Sequence, residues 1–378
     1  IGKIMKIVHV TGYFGDGYGY QENLLPLGQL ELGHEVHMIT GKNEFDFGFN
    51  SHSRTKLVGT YDFQGVTITR LDHYFEIVNR VPFLKGLLRK IYQEKPDILF
   101  IHDVGPSLLV GMFYKLFNPQ VSLHMDCHST PDNARNSKFG PVYHYFFRCF
   151  FGLFHKKIDR FFAIAPETIM FMTQFYKLRK ESIILLPLPG DSSGLLEQES
   201  VKKRVFEELD ITEATRIILH SGKLPGDKET LSVLKSFSQI TNINLRLVLA
   251  GSVSESFREV LDQFKSNDSR IIELGWVSAA TLRDVMLASD LLVQPGSLSN
   301  SFIDAICCGL PIILDDTPQG RYLVKADNGV LIARSDLGSL KSCIEACLEK
   351  DKNATMKMNA LEEAEFYNYV NNARISLS

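Results

Sequence analysis

A four-part unit near the end of the chain constrains the fold most strongly. Leu291-Leu292-Val293 is a short apolar run, and Gln294 to Asn300 is small, polar and contains Gly296. Ser301 to Cys308 has helical character and stops at Gly309, and Pro311 to Leu314 is apolar again. Strand, polar loop, helix and strand in that order make one crossover of a parallel sheet, because parallel neighbours cannot be joined by a tight hairpin. The loop then falls at the carboxyl end of the first strand, where open α/β sheets bind ligands. Backbone N–H groups at a helix start suit phosphate oxygens there. Asp304, one turn into the helix, could take ribose hydroxyls. An ordinary βα turn without function has the same pattern.

The unit recurs along the chain. Lys6 to Val10 is a buried-type strand, and it runs into a loop with glycines at 12, 15, 17 and 19. Leu24, Leu25, Leu27 and Leu30 follow at helical spacing, Gly33 stops the helix, and His34 to Thr40 is the next strand. The glycine spacing is not GxGxxG, yet such a loop lets backbone approach a phosphate or sugar closely. Phe45 to Arg70 is loop-rich, with one short strand expected at Val66 to Thr69, and Val81 to Tyr92 has helical spacing. Ile98 to Ile101 reads as a strand, Ser107 to Phe117 as a helix, and Val121 to His124 and Asp159 to Ile164 as strands. Pro187 to Gly194 is a boundary whose prolines and glycines cannot continue a helix. Arg216 to His220, Leu245 to Gly251 and Ile271 to Gly275 then restart the alternation, and the chain from Leu337 onward is mostly helical.

Sustained alternation of this kind predicts an α/β protein with doubly wound parallel sheets. The 378 residues fit two domains, at roughly 100–200 residues each. A net charge of -3 leaves no global basic field, so no nucleic-acid partner is expected. The six cysteines form no CxxC pair or zinc-like spacing, and adjacent Cys307 and Cys308 read as buried free thiols. Neither a signal-peptide pattern nor a bilayer-length apolar run is present, so a cytoplasmic location is expected.

Three stretches carry candidate chemistry. His124-Met125-Asp126-Cys127-His128, followed by Asp132, Asn133 and Arg135, is the densest ionisable cluster and sits at a strand's carboxyl end. It could contact a reacting hydroxyl, or be a hydrogen-bonded loop. A strand end, unlike one helix face, is a poor setting for a metal site. In Ser221-Gly222-Lys223-Leu224-Pro225-Gly226-Asp227-Lys228, two lysines bracket a Pro-Gly turn. They can converge on a diphosphate and stabilise it as a leaving group, or remain solvated. Finally, Phe139 to Phe162 is rich in aromatics and ends in Lys156, Lys157 and Arg160. It suits a headgroup-level membrane contact, although its nearly all-round hydrophobicity also suits burial in a core.

Taken in order, these pieces resemble a GT-B glycosyltransferase, most like glycosyltransferase family 4, whose members are retaining and use nucleotide sugars. The resemblance rests on the glycine loop with Gly33-His34-Glu35-Val36, and on Gly222-Lys223 with Lys228. It also rests on Leu249-Ala250-Gly251, Gly275-Trp276-Val277 and Ala288-Ser289-Asp290, and on Asp304 to Pro311, which is similar to the family's Glu-Ala-Met-Ala-Cys-Gly-Leu-Pro run. It implies two Rossmann-like domains facing a central cleft. The acceptor-binding domain would span 1–188 and the donor-binding domain 189–362, with a C-terminal helix over 363–378 returning to the first domain. It implies a UDP-sugar donor, a glycan or lipid-linked glycan acceptor in cell-envelope polysaccharide assembly, and a peripheral membrane contact through 139–160.

The residues follow the same resemblance. His128 would contact the transferred sugar, and Lys223 and Lys228 would hold the diphosphate. Gly19, Gly222, Val277, Ser299, Asn300, Ser301 and Asp304 would bind the donor, and Glu22, Asp126 and Asn133 the acceptor. No metal and no cofactor are expected. Two positions depart from the family. Lys223 replaces an arginine and loses its bidentate geometry, and Gly296 stands where the family's first glutamate would touch the donor sugar. Ser299, Asn300 and Ser301 could supply neutral hydrogen bonds instead. The departures keep two other readings open. One is a nucleotide-sugar epimerase of the same fold using Asp126, Asp132 and Glu22, and the other is a catalytically silent scaffold that binds a partner.

Overall fold

A computed structural model describes residues 3–45, 54–77, 80–130, 140–222, 224, 228–295, 301–333 and 338–378. The chain divides into two compact units, the first comprising Ile1–Asp16, Tyr20–Leu188 and Tyr369–Ser378, the second Gly17–Gly19 and Pro189–Asn368.

The first unit runs β1 (Lys6–Val10), α1 (Gln21–Glu31), β2 (Glu35–Gly41), β3 (Gly59–Phe63), β4 (Val66–Leu71), β5 (His73–Ile77) and β6 (Val81–Leu84). It continues with α2 (Leu87–Glu94), β7 (Ile98–Ile101), α3 (Pro106–Phe117), β8 (Ser122–Cys127), α4 (Gly140–Phe154), β9 (Arg160–Ala163), α5 (Pro166–Gln174) and β10 (Ile183–Leu185). Its sheet has the order β10-β9-β8-β7-β1-β2-β4-β3 and is parallel except for the β3–β4 pair. The chain winds outward from β1 in both directions, so the carboxyl ends of β1 and β7 form a switch point, where loops diverge and leave a crevice. On one face Leu99, Leu108, Met112, Phe147, Phe151 and Ile91 build the main core. On the other, Leu25, Phe100, Phe162 and Ala373 pack together.

Three expectations need correction here. Gly59–Phe63 is a strand that the polar residues Thr60 and Asp62 concealed. It turns into β4 through Gln64 and Gly65, both at positive φ (54° and 84°), a two-residue hairpin turn. Val81 to Tyr92 is not one helix. Its start is β6, paired antiparallel with β5, and Gly86 at φ 79° separates it from α2. The aromatic helix α4 is two-sided rather than buried all round: Phe147 and Phe151 lie in the core, whereas Tyr145, Phe146 and Leu153 are exposed.

Arg70 fixes the glycine loop. Its buried guanidinium donates to the carbonyls of Phe14 (3.0 Å) and Gly41 (3.4 Å) and to the Tyr61 hydroxyl (3.0 Å), and it pairs with Asp16 at 3.2 Å. The planar fork matches these acceptors, which a lysine could not do.

The second unit contains α6 (Gln198–Glu208), β11 (Arg216–Ser221), α7 (Lys228–Ser238), β12 (Leu245–Ala250), α8 (Glu255–Asn267), β13 (Ile271–Gly275), α9 (Ala279–Ala288) and β14 (Leu291–Gln294). After these come α10 (Ser301–Cys307), β15 (Ile312–Asp315), α11 (Pro318–Leu323), β16 (Gly329–Ile332), α12 (Leu340–Cys347) and α13 (Lys350–Tyr367). The order β13-β12-β11-β14-β15-β16 is the doubly wound 3-2-1-4-5-6 pattern, and the strands pair in parallel. At Asn368 the chain leaves this unit, and α14 (Tyr369–Leu377) belongs to the first. Helix α14 lies tight against α1 because Gly28 has no Cβ; one there would sit 2.5 Å from the Tyr369 carbonyl oxygen. Among the described residues no helix is long and apolar enough to cross a membrane.

Candidate active site

The switch point of the first unit gathers side chains from four segments. Strand β1 supplies His9, the end of β7 supplies His102 and Asp103, β8 supplies Asp126 with His128 just beyond, and α1 supplies Gln21 and Glu22. Asp126 is the hub. It is fully buried, accepts from His102 Nδ1 (2.7 Å), the Asp103 N–H (2.8 Å) and Gln21 Nε2 (3.2 Å), and lies 3.4 Å from His128 Nε2. Burial alone would raise its pKa, but the attraction and hydrogen bonds of His102 and His128 hold its carboxyl far below the usual range.

His128 is the exposed end of this group, its side chain 27% accessible. Burial works against its charge, yet Asp126, with smaller contributions from Glu22 and Asp103, pushes its pKa up to about 10. It therefore presents a protonated imidazole, a charged hydrogen-bond donor that suits an oxygen gaining negative charge. Candidate ligand atoms of Glu22, His102 and His128 lie within 4.8 Å of one another. Both ring nitrogens of His102 are engaged in a buried hydrogen-bond network, one with Asp126 and one with His9.

The ionisable cluster read from the sequence separates by depth. Asp126 and His128 reach the strand tip, with Glu22 beside His128. His124 sits lower on the strand among Phe100 and Phe162, where burial pulls its pKa down to about 4. Cys127 faces the opposite core, and burial pushes its thiol up. Asn133 lies outside the described residues. His9, His102 and Gln21 were missed. Their signal was a polar side chain at or near the end of an otherwise apolar strand, or at the first position of a helix after the glycine loop.

In the second unit, β11 and β12 end on glycines that allow close approach. Gly222 has φ 111°, and a Cβ on Gly251 would lie 1.6 Å from the Gly222 carbonyl oxygen. Lys223, Ser299 and Asn300 lie outside the described residues, as does the side chain of Lys228, which opens α7. Ser301 is buried at the start of α10, and Asp304 is in its first turn. Burial raises the Asp304 carboxyl to about 7, partly offset by Arg283. Val277 lies between β13 and α9, whose Ser278 cap accepts from the Thr281 N–H at 3.1 Å. Gly19 groups with this second unit.

Two doubly wound α/β units with a crossing C-terminal helix define the GT-B architecture, and solved structures agree. HepE of Anabaena in complex with UDP has a TM-score of 0.69 at 17% identity, over 98% of both chains. A glycosyltransferase from Rickettsia africae has a TM-score of 0.71 at 13% identity, over 98% of this chain and 96% of that one. At the sequence level, residues 27–191 match Glycosyltransferase Family 4 and residues 215–350 match Glycosyl transferases group 1. A lipopolysaccharide 1,2-N-acetylglucosaminetransferase of Salmonella typhimurium is 22% identical over 164 residues, 40% of this chain and 42% of that protein's length. The chain belongs to the GT-B glycosyltransferases, family 4 in its first half and group 1 in its second.

The pairing of His128 has a consequence for stability. Its folded pKa of about 10 lies above the ordinary value of about 6.5. The stabilisation is thus complete below the ordinary value and is lost as pH rises through the folded one. In urea unfolding, His128→Gln is expected to flatten the fall in stability across this alkaline window. Equal slopes in both proteins would contradict the pairing.

Proposed function

We propose that the chain transfers a sugar, with retention, from a UDP-sugar to a glycan or lipid-linked glycan acceptor in cell-envelope polysaccharide assembly. The observation that carries this reading is the charged His128 at the tip of β8, braced by a buried Asp126, in a chain whose two halves match glycosyltransferase families. His128 donates to the transferred sugar, and Glu22 and Asn133 serve the acceptor side; Asp126, expected there from the sequence, is fully buried and acts through His128 instead. Lys223 and Lys228 offset the diphosphate charge, which removes the need for a divalent cation. Asp304, with Gly19, Gly222, Val277 and the 299–301 segment, holds the nucleotide. UDP in HepE and the lipopolysaccharide substrate of the Salmonella relative support donor and acceptor class respectively.

The outward face of α4 supports a peripheral membrane contact. Tyr145, Phe146 and Leu153 are exposed, and Lys156 and Lys157 follow them at the helix end. Such a face seats its rings at headgroup depth while the lysines meet anionic lipid. Phe147 has no part in it, being a core residue. Flotation with anionic vesicles should fall when Phe146, Leu153, Lys156 and Lys157 are replaced by serine; flotation unchanged by those replacements would remove the contact.

Donor binding gives the functional test. A thermal-shift screen of UDP-, GDP-, CDP- and dTDP-sugars should show stabilisation by the UDP compounds, since a ligand of the native state raises apparent stability. Asp304, with a pKa of about 7, accepts ribose hydroxyls through both oxygens only once it ionises. UDP affinity should therefore rise roughly tenfold between about pH 6 and 8, and Asp304→Asn should abolish that rise. Stabilisation by no nucleotide would favour the scaffold reading, and conversion of the donor without acceptor would favour the epimerase.

A further inference from the structure

Five buried side chains form one hydrogen-bonded file through the first unit, from the C-terminal helix to the candidate active site. Each is 6% exposed or less. Ser376 on α14 donates to the Ala373 carbonyl at 2.7 Å, which leaves its oxygen to accept from Gln29 Nε2 at 3.0 Å. Gln29 thereby turns Oε1 toward His9 Nε2 at 2.6 Å, and an amide oxygen only accepts. His9 must carry its proton on Nε2. Burial, together with the neighbouring His102, pushes the His9 pKa down to about 3, so the ring is neutral and its Nδ1 is a lone pair. That lone pair faces His102 Nε2 at 2.9 Å, which must donate. His102 Nδ1 then stands 2.7 Å from Asp126 Oδ2, and one further proton has to lie on that line. Without it, a nitrogen lone pair would face a carboxylate oxygen in a buried site, where unpaired polar groups are costly.

We propose that Ser376, Gln29, His9 and His102 are positioning residues whose fixed hydrogen-bond direction places this proton between His102 and Asp126, and so sets the charge that Asp126 presents to His128. The inference rests on the reading of His128 as the group that contacts the transferred sugar. With the proton in place the His102–Asp126 pair is neutral overall. Asp126 then holds the buried His128 Nε2 at ion-pair distance, 3.4 Å, without a short bond, and so sets where the partly exposed ring sits. The other ionisable groups facing this line are Glu22 from α1, Asp103 from the loop after β7, His124 from β8 and His128 itself.

Ser376→Ala reverses the file. The Gln29 amide turns over and donates to His9 Nε2, His9 donates through Nδ1 to His102 Nε2, and His102 donates through Nδ1 to Asp126. Only Gln29 Oε1, turned toward the new methyl at position 376, is left without that partner, as Nε2 would be had the amide stayed, and the surplus proton leaves to solvent. Asp126 is then left with His128 as its cationic partner and draws that ring closer.

Heteronuclear NMR of the full chain with isotope-labelled histidine near neutral pH tests this directly. The wild type should show one buried, doubly protonated ring that disappears in His102→Phe. Ser376→Ala and Gln29→Leu should convert that ring to a neutral one, and Ser376→Thr, which keeps the hydroxyl, should restore it. With UDP-glucose as donor and water as acceptor, Ser376→Ala should lower kcat about tenfold, as loss of a supporting partner does elsewhere, with KM nearly unchanged. A neutral His102 ring in the wild type, or a charged one that persists in both Ser376→Ala and Gln29→Leu, would overturn the proposal, as would an unaltered kcat. A wild type that neither binds UDP nor consumes UDP-glucose would instead overturn the functional reading, and the NMR result would still decide the file.

Discussion

The buried carboxylate of Asp126 is the interaction on which the first unit depends. A charge with no solvent exposure is tolerated only when donors surround it. Its donors here come from α1, from the end of β7, from the loop beyond it and from the loop after β8. No single segment could satisfy it. The sheet order that sets β1 beside β7, and β7 beside β8, is what brings these groups to one place. The same order directs the glycine loop to that end of the sheet, where Arg70 holds it through the carbonyls of Phe14 and Gly41. A stable fold and an aimed His128 are in this sense one arrangement.

The second unit follows the same winding rule with different contents. Its strand tips end on Gly222 and Gly251, and the missing Cβ of Gly251 lets the Gly222 backbone pack directly against it. The ionisable group described there is Asp304, half of whose local logic is burial: a carboxyl raised to about 7 changes charge across the neutral range. By the resemblance read from the sequence, this unit is also where the chain is expected to depart from its family, with Gly296 where a glutamate would reach the donor sugar. The chemistry that remains legible is therefore weighted toward the first unit.

Much of this could be read from residues alone, because parallel strands buried on both faces leave apolar runs that polar loops and helices punctuate. Ile217 to Leu219, Leu247 to Leu249 and Leu291 to Val293 are such runs, and all are strands. The misses have physical causes. Strand β3 and the β5–β6 hairpin lie at or beyond the sheet edge, where half-exposed polar residues erase the signal. His128 and Asp126 were legible as a dense polar cluster at a strand end. His9 and His102 were not, since each is a single polar residue and their partnership exists only once β1 and β7 are adjacent. Gln29 to Ser376 is further from legibility, joining residues from opposite ends of the chain through a helix contact that depends on Gly28.

If the Asp126 charge organises the site, removing that charge while keeping its shape should be decisive. Asp126→Asn is the measurement, read as UDP-sugar turnover beside UDP binding and thermal stability. The account predicts that turnover collapses by a factor of about a hundred or more, on the scale of losing a positioned acid–base group. UDP binding should persist and the protein should remain folded. Turnover within a few-fold of the wild type would contradict it.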